Sequence, residues 1–425
     1  MPKKTLKYLN DPDSWMLAED IPDIDLFFSQ IWLSCFANEF KYPSGRAYKK
    51  ILTIYRGYHL WFYFGEKDSK EEGDHIVRKF VQYPEFTEKI NKKIFLEADK
   101  LRAFAEKLPE ENLDKLSNQK LWDYYKSQDK IHTQYYKWCW IPVGVDMFHN
   151  NLTERLKGYL RSSDVPEEKI NKYLVILTTP VTKSLIQIER EKFQKIALKI
   201  KKDVYHKKLF GELFEEFREH DVGVYGLETH SAAYEKVFEK KVGAIKNQIK
   251  SWVLKSIEKH YLKYFYVKFL WVGKDGVYTF DYYLKELVRL IGSGANIEGN
   301  LKKEEKEYKG LLEKRKKLLK KLDIKYPYTI LFKSWGDFMV TKIYRRFAQI
   351  YDIYQMQPIL EEIARRLRIS LMQVRFLLTS EVGDYLLGKK KINRRELKER
   401  TRFCVYYVEK GREVIFTGSK AKKLA

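Results

Sequence analysis

The chain has little cysteine and no long apolar run, and each shortage excludes something. Its three cysteines, Cys35, Cys139 and Cys404, lie far apart with no CxxC pair. That rules out a disulfide framework and a simple zinc finger, and it suits a reducing cytosol. No stretch approaches the roughly 18 uninterrupted apolar residues that a membrane span needs. The most apolar one, "YLKYFYVKFLWVG", is broken by lysines. The opening "MPKKTLKYLNDPDSW" has lysines but not the apolar core of a signal peptide. The expectation is a cytoplasmic protein with no membrane contact.

Local catalytic signatures are scarce too. The histidines are scattered, no two stand at i and i+4, and no HExxH occurs, so no metal site is visible. There is no GxxxxGK[ST], no GxGxxG and no GxSxG. "GSGAN" at 292–296 is Gly-rich but lacks a following Lys and a preceding strand. Hydrolytic triads are assembled in space, and nothing local points to one.

What the chain has in excess is positive charge. Lys and Arg number 82 against 58 acidic residues, leaving +24. Such a balance suits an acidic partner: nucleic acid, a phosphorylated ligand or an anionic surface. Joint enrichment in Lys, Ile, Tyr and Phe is also what AT-rich coding produces, so composition alone supplies a competing explanation. The length of 425 residues corresponds to roughly two to four domains. An apolar fraction of 44% is enough for a sizeable core.

Helical signals dominate, and the expected fold is mainly α: a multi-helix body with a small C-terminal β-hairpin. Residues 23–64 read as buried helices, the polar "GEKDSKEEGDH" (65–75) as a loop, and 86–107 and 118–140 as helices. Asp164 with Glu167 and Pro166 predicts one helix start. Thr179 with Pro180 predicts another, running to about Lys201. The Gly-rich 220–235 reads as a loop leading into a helix, 236–271 as helical, and Thr279 as the start of the next helix. "GSGANIEGN" (292–300) is the best linker. The expected regions are 1–118 (N-terminal helices), 119–292 (central helices), 293–325 (linker and basic amphipathic helix) and 326–425 (C-terminal helices and hairpin).

The segment "LKKEEKEYKGLLEKRKKLLKKLDIK" carries eleven basic and five acidic residues, 11 − 5 = +6. Leu311, Leu312, Leu318, Leu319 and Leu322 recur at helical spacing. It reads as a solvated helix with one apolar stripe, or as a helix for a phosphate backbone. Further on, Ser370 with Gln373 and Asn393 with Glu396 read as capping boxes, with Gly388 as a stop. "FCVYYVEKGREVIFTG" reads as the hairpin.

"EIARRLRISLMQVRFLL" (362–378) has the apolar spacing of a helix-turn-helix. Its turn position holds Arg368 rather than Gly, and the would-be reading helix offers few side chains for base edges. A helix pair packed into a larger body is the better reading.

Two aromatic phrases stand out, "KIHTQYYKWCW" (130–140) and "EKHYLKYFYVKFLW" (258–271). On helices, His132 and Tyr136 share a face, as do His260 and Tyr264, with Trp138 and Tyr266 on a neighbouring stripe. Such a face could hold a planar or sugar-like ligand. It could equally be a buried aromatic helix whose His is satisfied by a neighbour.

The order of these features resembles one segment of the phosphoenolpyruvate-utilising enzymes, the group of phosphoenolpyruvate synthase, pyruvate phosphate dikinase and the rifampin phosphotransferases. The resemblance rests on the two aromatic phrases, "LTTPVTKSLIQIEREKF", "ILEEIARRLRISLMQVRFLLTSEVGDYLLGKK" and "ELKERTRFCVYYVEKGREVIFTG", together covering roughly 120–425. In that family an ATP-grasp module phosphorylates a His on a swivelling domain, which carries the phosphoryl group to an acceptor. The resemblance implies a helical acceptor-binding or scaffold region ending just before the phosphohistidine domain, with His132, Tyr136, Trp138, His260, Tyr264 and Tyr266 as acceptor contacts. The chain departs from the family in lacking a "TGG…SHA"-type segment and an ATP-grasp signature. His230, in "GLETHSAAYE", lacks the paired glycines and is not assigned the carrier role. The expectation is a region inactive alone, with no catalytic motif and no cofactor of its own. ATP and Mg would belong to catalytic domains supplied by a neighbouring polypeptide. The alternative is a basic helical nucleic-acid-binding protein.

Overall fold

The computed structural model describes residues 6–9, 11, 13–218, 232–268 and 277–425. The expected loop around His220 and His230, and the turn at "WVGKDG", lie outside the described residues. The fold is mainly α, as expected. It comprises two compact units. The first is built from Met1–Thr182, Leu270–Asp275 and Arg315–Ala425, and the second from Lys183–Phe269 and Gly276–Lys314.

The C-terminal hairpin is present, but it is not alone. Five antiparallel strands in the first unit form one sheet: β1 (Trp15–Ile21), β2 (Lys50–Arg56), β3 (His59–Gly65), β4 (Cys404–Glu409) and β5 (Arg412–Phe416), in the order β1-β3-β2-β4-β5. The helix expected across residues 50–64 is therefore a hairpin. Arg56 pairs with His59 around Gly57-Tyr58, and Gly57 takes φ +60°, as a two-residue turn with Gly first requires. Strands β2 and β4 are buried along almost their whole length. One face carries Leu52, Ile54, Val405 and Tyr407 with Trp15, Trp61 and Tyr63 packed around them. On the other, the helix Leu26–Asn38 sets Trp32 edge-on to Phe62 at 4.9 Å and Phe36 at 6.3 Å from Phe64. A strand buried on both faces loses its alternation and reads as a continuous apolar run.

The polar 65–75 segment is not a loop but part of the helix Glu66–Gln82. Its start is held by Asp13, whose carboxylate accepts from the backbone N–H of Lys67 at 3.0 Å. Its polar side chains are spent inward: Asp68 binds Arg46 at 2.8 Å and Ser69 meets His149 at 3.0 Å.

Other boundaries shift for similar reasons. Helices Glu85–Ala105 and Asn118–Cys139 stand where expected. Asp164 adopts φ +55°, and the helix begins only at Glu167. The Thr179-Pro180 start is replaced by Ser184, whose hydroxyl and the Gln187 side chain close a capping box on Leu185–Lys201. Residues 236–271 are not one helix: Ala232–Gln248 and Ser251–Tyr264 are separated near Lys250, whose N–H donates to His206 Nε2 at 3.2 Å. Thr179 fails as a cap, but Thr279 caps Phe280–Gly292 as expected.

The second unit closes around Phe193, Phe210, Val253, Ile257, Leu284 and Leu287. Gly292, expected in a linker, is a packing residue there. A Cβ at that position would sit 2.5 Å from the backbone oxygen of Phe210, so only Gly lets the helices Val204–Arg218 and Phe280–Gly292 approach.

The helix pair at 362–378 packs into the first unit. Helix Gln357–Leu367 ends at Arg368 in the left-handed conformation, φ +52°, where a Gly would be unstrained. The second helix is only Leu371–Arg375, and Arg375 is buried between Asp25 and Gln357. Arg400 is chelated by Glu381 through two bonds of 2.6 and 2.9 Å and also meets Glu396, which fixes the last two helices before β4. Glu413 on β5 accepts from Gln30, Ser34 and Tyr406, tying the hairpin to the first long helix.

Candidate functional site

The six residues of the aromatic phrases fall in two units. His132, Tyr136 and Trp138 belong to the first unit, and His260, Tyr264 and Tyr266 to the second. Each triplet is placed by its own packing.

In the first unit, His132 lies on Asn118–Cys139 with no exposed surface. Its Nδ1 is 3.1 Å from Asp352 Oδ2, on the helix Tyr328–Gln355. Gln128, one turn back, donates to the same carboxylate oxygen at 2.6 Å. Tyr136 lies one turn on, its ring parallel to the imidazole at 5.2 Å and 11°. The Tyr136 hydroxyl accepts from Gln349 Nε2, and burial pushes its pKa well above the usual phenol range. Trp138 is half-buried, with Lys93 Nζ 5.7 Å above its ring.

In the second unit the same device recurs. His260 Nε2 is 2.8 Å from Glu189 Oε1, on the helix Leu185–Lys201. Tyr264, one turn on, packs against the imidazole at 4.7 Å. Tyr283 adds a second bond to the Glu189 oxygen at 3.3 Å, and burial drives the Tyr283 hydroxyl far above its ordinary pKa. Tyr264 is buried, and its hydroxyl has no hydrogen-bond partner. Tyr266 is also buried, edge-on to Phe265 at 5.6 Å.

The two phrases share one local arrangement. In each unit a buried imidazole lies beside a carboxylate from a neighbouring helix and the Tyr at i+4 packs on it, while Nδ1 of His132 also meets Gln128 Nε2 at 3.0 Å and its Nε2 has no hydrogen-bond partner. A buried polar ring needs such a partner, and an apolar helix surface supplies the rest. Asp352 and Glu189 were not found by sequence reasoning. Asp352 stands as the lone acid in "AQIYDIYQM", which is a signal for a buried partner. Glu189, in "QIEREKF", has charged neighbours and no such signal.

A groove of about 290 Å³ in the second unit runs between Leu185–Lys201 and Ile297–Lys321. Its walls are charge-compensated. Glu191 bridges Lys183 and Lys195 at 2.6 Å each, which holds its carboxyl down at about 2, and Arg190 meets Glu304 at 3.0 Å. Tyr308 lies over Lys183. Among the described residues, no cluster of three or more His, Cys, Asp or Glu is arranged to hold a metal ion, and no helix is long and apolar enough to cross a membrane.

One buried acid stands apart. Glu72, on Glu66–Gln82, is fully buried and neither carboxylate oxygen has a hydrogen-bond partner. Burial raises its pKa to about 7, against the attraction of Arg46, whose Nε is 3.4 Å away.

No family model, curated protein or solved structure matches this chain.

Proposed function

We propose that this chain is the scaffold part of a phosphotransferase of the phosphoenolpyruvate-utilising type, inactive alone, whose ATP-grasp and phosphohistidine modules are supplied by another polypeptide. The observation that carries the scaffold reading is the fate of the aromatic phrases. The histidines and tyrosines that could have met an acceptor are committed to packing inside separate units, each imidazole already on a carboxylate. The C-terminal stretches that bear the resemblance are equally committed. Arg375 and Glu413 each join elements distant in sequence, and Arg400 ties two successive helices together, as a rigid support for moving modules requires. ATP and Mg would act on the catalytic modules, and the acceptor would be met there.

The reading is tested by mixing the chain with separately expressed ATP-grasp and phosphohistidine modules from the same genome. Sedimentation should give a complex of defined stoichiometry. Free sedimentation of all components at 50 µM would remove the reading, as would ATP turnover by the chain alone.

A second reading, nucleic-acid binding, is favoured by one observation: the unpaired lysines of the helix Ile297–Lys321.

A further inference from the structure

The helix Ile297–Lys321 carries two kinds of lysine. Lys302 and Lys309 are paired with Glu298 and Glu305 at 2.6 and 2.8 Å, one turn back. Lys303, Lys306, Lys314, Lys317 and Lys321 are exposed and, among the described residues, take part in no ion pair; the same holds for Lys316 and Lys320, which lie outside the face formed by the first five. At 3.6 residues per turn these five fall within an arc of about 80°, along about 27 Å of helix. Gly310 lies at the middle of that arc, and a Cβ there would touch nothing. Glu307 and Glu313 border the face. The last stretch, 314–321, has six basic side chains and no acidic one.

Local stability does not explain the arrangement. The helix dipole favours cations only in the last turn, which accounts for Lys320 and Lys321 but not for Lys303, Lys306 or Lys314. Unpaired like charges on one face repel, at some cost to the helix.

We propose that this lysine face binds the phosphate backbone of a nucleic-acid duplex. A linear row of ammonium groups without an apolar anchor matches a continuous polyanion. An acidic protein surface would need an apolar centre to bind stably, and this face has none. An anionic membrane would need the helix's apolar stripe, but Leu318 is buried and Leu301 packs on the second unit's core. The face is a property of the one helix. It reads no bases, so DNA and RNA duplexes of any sequence are bound through phosphates alone.

The test is fluorescence anisotropy of labelled 20-base-pair DNA and RNA duplexes with the full chain between 50 and 200 mM KCl. Five phosphate contacts predict about a 500-fold loss of affinity over that range. The variant K303Q/K306Q/K314Q/K317Q should lose only about 3- to 4-fold, because about one contact remains. Gln keeps the helix propensity, and circular dichroism checks the fold. The comparison variant K389Q/K391Q/K420Q/K422Q removes four other exposed lysines and reaches the same net charge, 24 − 4 = +20. It should behave as the unsubstituted chain. Equal weakening in both variants, or no binding at 10 µM protein in 50 mM KCl, would overturn the proposal. So would displacement of the duplex by polyglutamate at equal charge concentration, which would assign the face to acidic proteins instead.

Discussion

Glu72 provides a stability experiment with a defined sign. The carboxyl is fully buried, and Arg46 at 3.4 Å attracts it without a hydrogen bond. Burial dominates and lifts its pKa from the ordinary 4.5 to about 7. The folded state therefore holds this proton more tightly than the unfolded chain. Its stability contribution is fully present below pH 4.5 and is lost as pH rises through 7. The difference corresponds to about 3 kcal/mol of penalty once the group is ionised. Glu72→Gln mimics the protonated form and removes the titration. Urea unfolding followed by tryptophan fluorescence should show the variant about equal to the parent at pH 4.5. At pH 8.5 it should be more stable by up to about 3 kcal/mol. If Glu72→Gln is instead destabilised at pH 8.5, the Arg46 attraction outweighs desolvation and the reasoning is wrong.

Arg375→Met leaves Asp25 buried and unpaired and should cost about 3–5 kcal/mol in urea unfolding, while adding Asp25→Asn should recover part of it. Asn is chosen because Asp25 also caps its helix at Phe28 N, and a further loss in the double variant would contradict the pairing. The two tyrosines of the aromatic phrases should differ. Tyr136→Phe strands the Gln349 amide and should cost about 1–3 kcal/mol, whereas Tyr264→Phe should be neutral or stabilising because that hydroxyl has no partner. Equal losses would show that the two hydroxyls are not distinguished in this way. Lys342 is partly buried, with Arg345 nearby, and desolvation lowers its pKa to about 8, so stability should rise with pH between about 8 and 10.5. Lys342→Met should be the more stable protein at pH 7 and lose that advantage above pH 10.5. An advantage unchanged across that window would exclude the titration.

Much of the helical frame was legible because its signals are local. Thr279 and Ser370 cap the helices they precede, and the periodicity of 85–105 and 118–139 is plain. The missed elements depend on distant partners. Strand β2 is covered on both faces, so it shows no alternation, and the start of the helix at 66 is held by Asp13, which precedes the neighbouring strand β1. Gly292 looks like a linker residue until the backbone of Phe210 is seen against it. The aromatic phrases were legible as a pair, but their meaning was not. Asp352 lies 220 residues from His132 and Glu189 71 residues from His260, and only the fold brings each carboxylate to its imidazole.

The proposed role is to support phosphoryl transfer without performing it. The most direct measurement is the rate of phosphoryl transfer from ATP by the ATP-grasp and phosphohistidine modules, with and without this chain. A scaffold role predicts no transfer by the chain alone, a rate at least about tenfold higher when it is added to the modules, and the same gain with His132→Asn or His260→Asn variants that remain folded. An unchanged rate on adding the chain, or loss of the gain in folded His variants, would contradict it.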